Sequence, residues 1–490
     1  MLFTSFAFVV FVVILFLLYW LVLPTNLRFQ NVLLLTASYV FYGWWNVHFL
    51  WLMGGSSLIA YWVGWQIGQS QKPQKRKFWL FLGVGSHLVV LFFFKYYNFF
   101  AANVALLATF FGKPFTDYSL HILLPIGLSF YSFQLIAYLI DVYKKDILPE
   151  KDVIVFFSFV SFFPQIVAGP IERAKHFLVQ FHTKRQFEQG QATDGLRQIL
   201  WGLFKKVVIA DGAAAYSDMV FNPAVSYTGS TLLVGALFFS LQIYGDFSGY
   251  SDIAIGVAKL FGFRLSQNFA FPYFATNIAD FWRRWHISLF TWLRDYVYIP
   301  LGGGNGSLFS KIRNIFIVFF ISGLWHGANW TFIVWGILNA IFFIAYLWCK
   351  KSKFRLFLMA ENRIFLSVKP FAEMFITFTL VTFSWIFFRA TDLLHAWVFI
   401  KKMYLYLFDN QSFQITIAIF NYLYGKTSIA FLLLILFFIL VEWRGRTSTH
   451  ALNRLGCRWR RPLRWIFYEV LLFVILIFAG KNQEFVYFQF

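Results

Sequence analysis

The chain is poor in charge, poorest in acid, and nearly free of cysteine. Only 13% of its 490 residues are charged, against about a quarter in a soluble globular protein. The 21 acidic residues are outnumbered by 42 basic ones, for a formal net charge of +21. No polar stretch is long enough to fold a large soluble domain. The two cysteines, Cys349 and Cys457, both sit in basic surroundings. Such surroundings face a reducing compartment, so no disulfide is expected. No Cys/His ligand spacing occurs, so no metal site is expected. Matching halves are absent too, and with them the usual sign of an inverted-repeat transporter.

What is present is apolar: 60% of residues are hydrophobic, in runs that recur from Leu2–Leu23 to Val470–Ala479. Runs of about 20 such residues, like the first, span a bilayer. Candidate spans are 2–23, 29–46, 48–68, 78–98, 120–142, 153–168, 195–210, 231–260, 312–325, 328–348, 371–389, 393–408, 427–443 and 465–480. The expected fold is an all-α polytopic membrane protein. Some stretches are short, so roughly eleven to thirteen crossings with re-entrant or interfacial pieces are expected. One integral-membrane domain, 1–490, would comprise N-terminal helices (1–150), a motif-bearing core (151–350) and C-terminal helices (351–490).

The positive charge clusters in short loops at Lys72–Lys77, Lys350–Arg355 and Arg444–Arg464. Loops of that kind stay cytoplasmic. They are too short, and too closely flanked by apolar spans, to read as a nucleic-acid surface. Counting spans from these loops places Met1 and Phe490 outside the cytoplasm. The first 23 residues lack a basic start and a small-residue cleavage site, and read as a retained helix.

Against this background an ionisable group between apolar runs is a functional candidate. His326 is one, in Ser322-Gly323-Leu324-Trp325-His326-Gly327-Ala328-Asn329-Trp330. Lys311 and Arg313 mark the cytoplasmic boundary before it, and Lys350 and Lys351 the one after. The chain must enter and return between them. Fifteen helical residues from Lys311 rise about 22 Å, past the midplane of an upright span. Gly323 and Gly327 permit close approach of a ligand. Ser322, Trp325 and Asn329 are candidate binding groups, and Asn329 is suited to fixing a tautomer or binding a carbonyl.

A second histidine lies 40 residues earlier, in Asp280-Phe281-Trp282-Arg283-Arg284-Trp285-His286-Ile287-Ser288. The pattern predicts one amphipathic helix over 280–296. Trp282, Trp285, Leu289, Trp292 and Tyr296 form one face; Asp280, Arg283, Arg284, Ser288, Thr291, Arg294 and Asp295 form the other. His286 falls on the border. Such a helix lies in the headgroup plane. Its arginines then either anchor to lipid headgroups or hold the phosphates of a nucleotide-like donor, for which the guanidinium fork is suited. Trp285 is a further donor-contact candidate. Tyr298-Ile299-Pro300-Leu301-Gly302-Gly303-Gly304 follows as an irregular loop, a tunnel mouth or a plain connector. The other histidines, His48, His87, His121, His176, His182, His395 and His450, carry no such neighbourhood and read as structural.

Two more polar islands interrupt the apolar sequence. One holds Gln242, Tyr244, Asp246 and Asp252; its carboxylates need partners, and the arginines of 283–294 are the expected ones. The other, Pro164 to Arg173, reads as a helix-ending turn with a Glu172–Arg173 ion pair.

These islands, in this order, resemble the membrane-bound O-acyltransferase superfamily, and within it the alginate O-acetylase branch. The stretches that carry the likeness are Ala168–Arg173, Asp246–Asp252, Phe281–Ser288, Tyr298–Gly303 and Gly323–Gly327, with Met1-Leu2-Phe3 and Phe485–Phe490 at the ends. The resemblance implies a ring of helices around a central tunnel in a bacterial inner membrane. It implies acetyl-CoA as the acyl donor on the cytoplasmic side, no tightly bound cofactor, and a periplasmic partner that attaches the acetyl group to a polysaccharide such as alginate or peptidoglycan. The near-invariant histidine maps onto His326 and the second functional one onto His286. In the expected chemistry His326 takes the proton of a hydroxyl acceptor, and His286 orients the donor carbonyl or stabilises the oxyanion. Competing readings are a transporter or flippase, a D-alanyl-type transferase fed by a carrier-protein thioester, and a scaffold without catalysis.

Overall fold

The computed structural model describes residues 1–22, 26–113, 119–223, 226–351, 363–480 and 485. Part of the basic stretch 350–355 and the terminal Val486–Phe490 lie outside the described residues. Among those described the secondary structure is helical, without strands. Six helices are long and apolar enough to cross a membrane: Pro73–Phe110, Gly229–Leu260, Leu308–His326, Trp330–Lys350, Val368–Arg389 and Ser428–Gly445. Large apolar side chains such as Phe6, Trp51, Phe110, Phe375 and Leu476 are exposed, as a lipid-facing surface requires. The protein is an all-α, multi-pass membrane protein.

The chain forms two compact units, Met1–Leu196 with Ala254–Ser266, and Arg197–Ile253 with Gln267–Phe490. In the first, His48–Gln69, Pro73–Leu91 and Leu128–Lys144 pack together. They approach closely because Gly64 and Gly83 face Tyr138 and Leu139; a Cβ at either glycine would lie 2.6 and 2.7 Å from those side chains. The expected span 120–142 begins as helix only at Leu128, after Gly127 with φ 75°. The expected span 153–168 is also cut short. Asp152 caps its start by accepting from the Ile154 and Val155 N–H groups, but the helix ends at Ser161. Pro164 has no N–H to continue it and biases the residue before it away from helix. The following turns are buried in protein, with Phe162, Phe163 and Ala168 at 0% exposure, where irregular backbone is tolerated. There Glu172 accepts from the Ser266 N–H at 2.5 Å and from its hydroxyl at 3.0 Å. Burial pushes this carboxyl up to about 7, against the pull of those donors and of Arg173.

The second unit departs from expectation in two places. Helix Gln189–Leu203 runs into a π-helical stretch, Phe204–Ala210, and its wider turns bury the adjacent Lys205 and Lys206. These lysines, not the arginines of 283–294, partner the carboxylates of the polar island. Lys205 Nζ is 2.5 Å from Asp252, and Lys206 Nζ is 2.7 Å from both Asp246 and Asp211. Gln198 adds a donor to Asp252 at 2.8 Å. Tyr244 and Trp201 both donate to Glu442, at 2.5 and 2.7 Å. Gln242 is also buried, on helix Gly229–Leu260.

The second departure is the predicted amphipathic helix over 280–296. It is broken into Ile278–Arg284 and Ile287–Leu293, followed by a π turn, Arg294–Tyr298. The break is at His286, held left-handed at φ 45°, ψ 53°. Hydrogen bonds from outside the segment cause it. Asn268 takes the Ile287 N–H on its carbonyl (2.9 Å), and the Arg284 carbonyl takes the Ala270 N–H (2.9 Å). Segment 268–270 thus claims groups that would have continued the helix. Nor does the segment lie as a surface helix, since Trp282, Trp285, Leu289 and Trp292 are all buried.

Candidate active site

Every element of the site belongs to the second unit. Helix Leu308–His326 ends at His326, where Gly327 turns the chain into extended backbone. The chain returns as Trp330–Lys351. These two helices cross at van der Waals range through glycine. A Cβ on Gly323 would meet the Phe332 carbonyl oxygen at 2.4 Å, and one on Gly336 the Phe319 oxygen at 2.3 Å. The crossing fixes His326 at 5% exposure within a cage of rings. Trp325, Trp335 and Phe388 have centroids 5.0, 5.1 and 5.2 Å from the imidazole.

His286 is brought to the same cage. Its ring lies 5.7 Å from Trp325, so one indole touches both imidazoles. Phe247 packs on it edge-on at 4.6 Å. It is fully buried, and burial pushes its imidazole down to about 3, so at neutral pH it carries no charge. Asn268 sets its tautomer. The Asn268 Oδ1 accepts from the Ser288 N–H (3.3 Å) and hydroxyl (2.9 Å), while its Nδ2 donates to Ser251 (3.3 Å). A backbone N–H can only donate, so the atom facing it is oxygen. His286 Nδ1, 3.1 Å from that oxygen, therefore carries the proton, and Nε2 bears the lone pair. This opposes the expected oxyanion role, which needs a donor at Nε2. In the neutral state His286 accepts there.

Nothing in the sequence singles out Asn268, since Ser266-Gln267-Asn268-Phe269 has no periodicity and no titratable group. Replacing Asn268 with Ala strands three buried donors, at about 1–3 kcal/mol for each group left unsatisfied. The variant is expected to melt earlier in a detergent thermal-shift assay and to lose most of its activity, while Asn268→Asp keeps the acceptor and recovers part of both.

The remaining predicted residues divide. Arg283 and Arg294 come together. With Ala279, Trp282, Phe290 and Tyr298 they border a cleft of about 320 Å³, floored by Phe319 and Phe343. Both arginines are largely exposed, at 73% and 60% of their side chains, and each meets a carboxylate, Asp280 (3.8 Å) and Asp295 (2.7 Å) respectively. Arg284 does not line the cleft; its Nε bonds Asp280 at 2.9 Å. Trp285 sits in the aromatic core between Phe269 and Trp385, at 5.1 and 5.0 Å. Asn329 is engaged by the fold at both ends of its amide, accepting from the Thr331 N–H (3.0 Å) and donating to the Thr391 carbonyl (2.9 Å). Ser322 is fully buried one turn before His326. No cluster of three potential metal ligands occurs among the described residues. Trp335, Trp385 and Phe388 complete the cage but look in sequence like ordinary apolar helix positions.

Comparison with known proteins gives a consistent answer. Residues 148–388 match the family described as MBOAT, membrane-bound O-acyltransferase. The chain is 39% identical over 486 residues to a protein named probable alginate O-acetylase AlgI in Pseudomonas putida, covering 94% of this chain and 95% of the other. It is 43% identical over 391 residues to the protein of that name in Pseudomonas aeruginosa (79% and 72%). It is also 38% identical over 404 residues to the peptidoglycan O-acetyltransferase of Helicobacter pylori (77% and 74%).

Proposed function

The chain belongs to the membrane-bound O-acyltransferase family, and from that premise we propose that it transfers an acetyl group from a cytoplasmic thioester, acetyl-CoA, towards an extracytoplasmic polysaccharide. As an O-acyltransferase it must make a hydroxyl attack an acyl carbon. The observation that carries this reading is His326, an imidazole held at a helix end inside a ring cage in a membrane protein. As the hydroxyl oxygen bonds to the thioester carbon, His326 takes the hydroxyl proton. As the C–S bond breaks, it returns that proton to the departing sulfur. The balance is a thioester and an alcohol giving an ester and a thiol. The cage excludes water, which would otherwise hydrolyse the thioester. His286 acts as a fixed hydrogen-bond acceptor that orients a hydroxyl or thiol proton.

Arg283 and Arg294 are the residues placed to hold the donor's phosphates; Arg284, closed onto Asp280, is not. The polysaccharide acceptor follows from the names of the relatives, and alginate-like and peptidoglycan acceptors both remain in that class. The inner membrane, extracytoplasmic termini and a periplasmic partner that completes the transfer belong to the same proposal. A carrier-protein thioester is the competing donor.

The purified full chain in detergent, given acetyl-CoA labelled in the acetyl group, is expected to release CoA and to pass label to an acceptor polysaccharide when the periplasmic partner is added. Absence of label transfer and of CoA release, with the partner present, would overturn the acetyl-CoA reading.

A further inference from the structure

Seven arginines stand from Arg444 to Arg464, and no acidic residue lies between Glu442 and Glu469. Glu442 is itself spent on Trp201 and Tyr244. Among the described residues none of the seven meets a carboxylate. The one guanidinium hydrogen bond there runs from Arg446 Nη1 to the Trp443 carbonyl, at 2.7 Å. A block of like charge repels itself and tends not to fold. This one is folded. His450, Ala451 and Leu452 are buried in its middle, and a Cβ on Gly445 would lie 2.5 Å from the Ala451 Cα. Backbone bonds Ser448 N–H to Gly445 O (2.8 Å), Asn453 N–H to His450 O (3.1 Å) and Trp459 N–H to Gly456 O (3.0 Å) shape its turns. The result is a fixed surface of uncompensated cations, which needs an anion from outside the chain.

The neighbours of the arginines indicate which anion. Trp459, Leu463 and Trp465 are exposed beside them. They lie before and along the first turns of helix Arg461–Phe478, whose Ile466, Phe473 and Leu476 are also exposed. Tryptophan at the end of a lipid-facing helix marks headgroup level, and a guanidinium fork fits phosphate. A soluble acidic protein would leave those apolar side chains uncovered.

The loop is also tied to the candidate active site. Gln267 Nε2 donates to the Thr449 carbonyl at 3.0 Å and to the Phe269 carbonyl at 2.9 Å, and so holds segment 267–269 to the loop. Asn268, which sets the tautomer of His286, is the residue between. Arg446 lies over the Trp443 ring at 3.8 Å, and Trp443 meets Phe274 edge-on at 5.2 Å.

We propose that Arg454, Arg458 and Arg460 hold the phosphate of an anionic phospholipid, and that the bound headgroup steadies the loop and, through Gln267, the segment that positions His286. Gln267 is then a positioning residue. The lipid site stands by itself; its effect on rate rests on the acyl transfer proposed above.

The experiment places the purified full-length chain in nanodiscs of phosphatidylcholine, alone or mixed with phosphatidylglycerol. CoA release from acetyl-CoA gives the rate, and native mass spectrometry of the detergent-purified chain titrated with either lipid gives binding. Wild type is expected to bind phosphatidylglycerol more tightly and to turn over faster with it. Replacing Arg454, Arg458 and Arg460 together with Gln should weaken phosphatidylglycerol binding by about a hundredfold and make the rate equal in the two nanodiscs. Gln267→Leu should bind the lipid as wild type does yet lose the response of the rate, a split that a merely structural role would not produce. Lys72, Lys75 and Lys77, changed together to Gln, remove the same charge from another basic loop and should change neither binding nor response. Equal binding of the two lipids by wild type, or equal losses in the arginine and lysine variants, would overturn the site. Inorganic phosphate that raises the rate in phosphatidylcholine alone would make free phosphate the ligand and overturn the lipid. Arginine-dependent binding with a wild-type rate that ignores the lipid would overturn the coupling. Arginine-dependent binding without CoA release in any nanodisc, the periplasmic partner being present, would keep the site and overturn the acetyl-CoA reading.

Discussion

Replacing His326 with alanine is expected to abolish acetyl transfer, by about 10²–10⁴-fold or to background, while the protein still inserts and purifies as wild type does. The size follows from the environment. A hydroxyl is a poor nucleophile at neutral pH, and a site enclosed by Trp325, Trp335 and Phe388 offers no bulk water to take its proton. Insertion should survive because His326 is the last residue of its helix, alanine is the best helix former, and the crossing that fixes the helix is made by Gly323 and Gly336, not by the imidazole. His326→Gln keeps size and a hydrogen-bonding end but cannot carry a proton, so it should be as inactive as alanine. Labelled-acetate incorporation into polymer, measured at matched protein levels, tests both. Normal acetylation in either variant would remove His326 from the chemistry. Partial recovery of the alanine variant by added imidazole would support a proton-transfer role over a packing role.

The burial of His326 and the helical membrane class are legible in the sequence because they follow from cost: a titratable group in an apolar run needs a reason. His286 is marked instead by its place on the border of a basic, tryptophan-rich segment. The same rule points at Lys205 and Lys206 inside the apolar stretch 195–210. In the structure both are buried within a π-helical stretch, Phe204–Ala210. The broken helix at His286 was illegible for a different reason. Its apolar and polar faces are clean at helical spacing, and no glycine or proline interrupts it. The break comes from residues 268 and 270, distant partners whose hydrogen bonds outweigh the local preference. The arginines split for a local reason: Arg284 is four residues after Asp280 and closes onto it, whereas Arg283 and Arg294 line the cleft.

The buried lysines make the second large prediction: Lys206→Met is expected to cost about 3–5 kcal/mol of stability, enough to keep most of the chain from accumulating folded. Lys206 Nζ lies 2.7 Å from Asp211 and 2.7 Å from Asp246, with side-chain exposures of 11%, 10% and 3%. Methionine fills the same space but leaves two carboxylates facing each other without their cation, in a medium that penalises each charge. Adding Asp211→Asn and Asp246→Asn to Lys206→Met removes both stranded charges, so the triple variant should regain most of the lost melting temperature. A single variant that melts like wild type would mean that the cluster contributes nothing to the fold. The triple variant then separates folding from catalysis. Asp246 is followed by Phe247, which packs 4.6 Å from the His286 ring and buries it. If the charges only hold helix Gly229–Leu260 in place, so that Phe247 keeps that position, restored folding should restore acetyl transfer as well. If the field of Lys206 and its carboxylates acts on the two histidines, the triple variant should fold and remain slow, with its pH profile displaced from that of wild type.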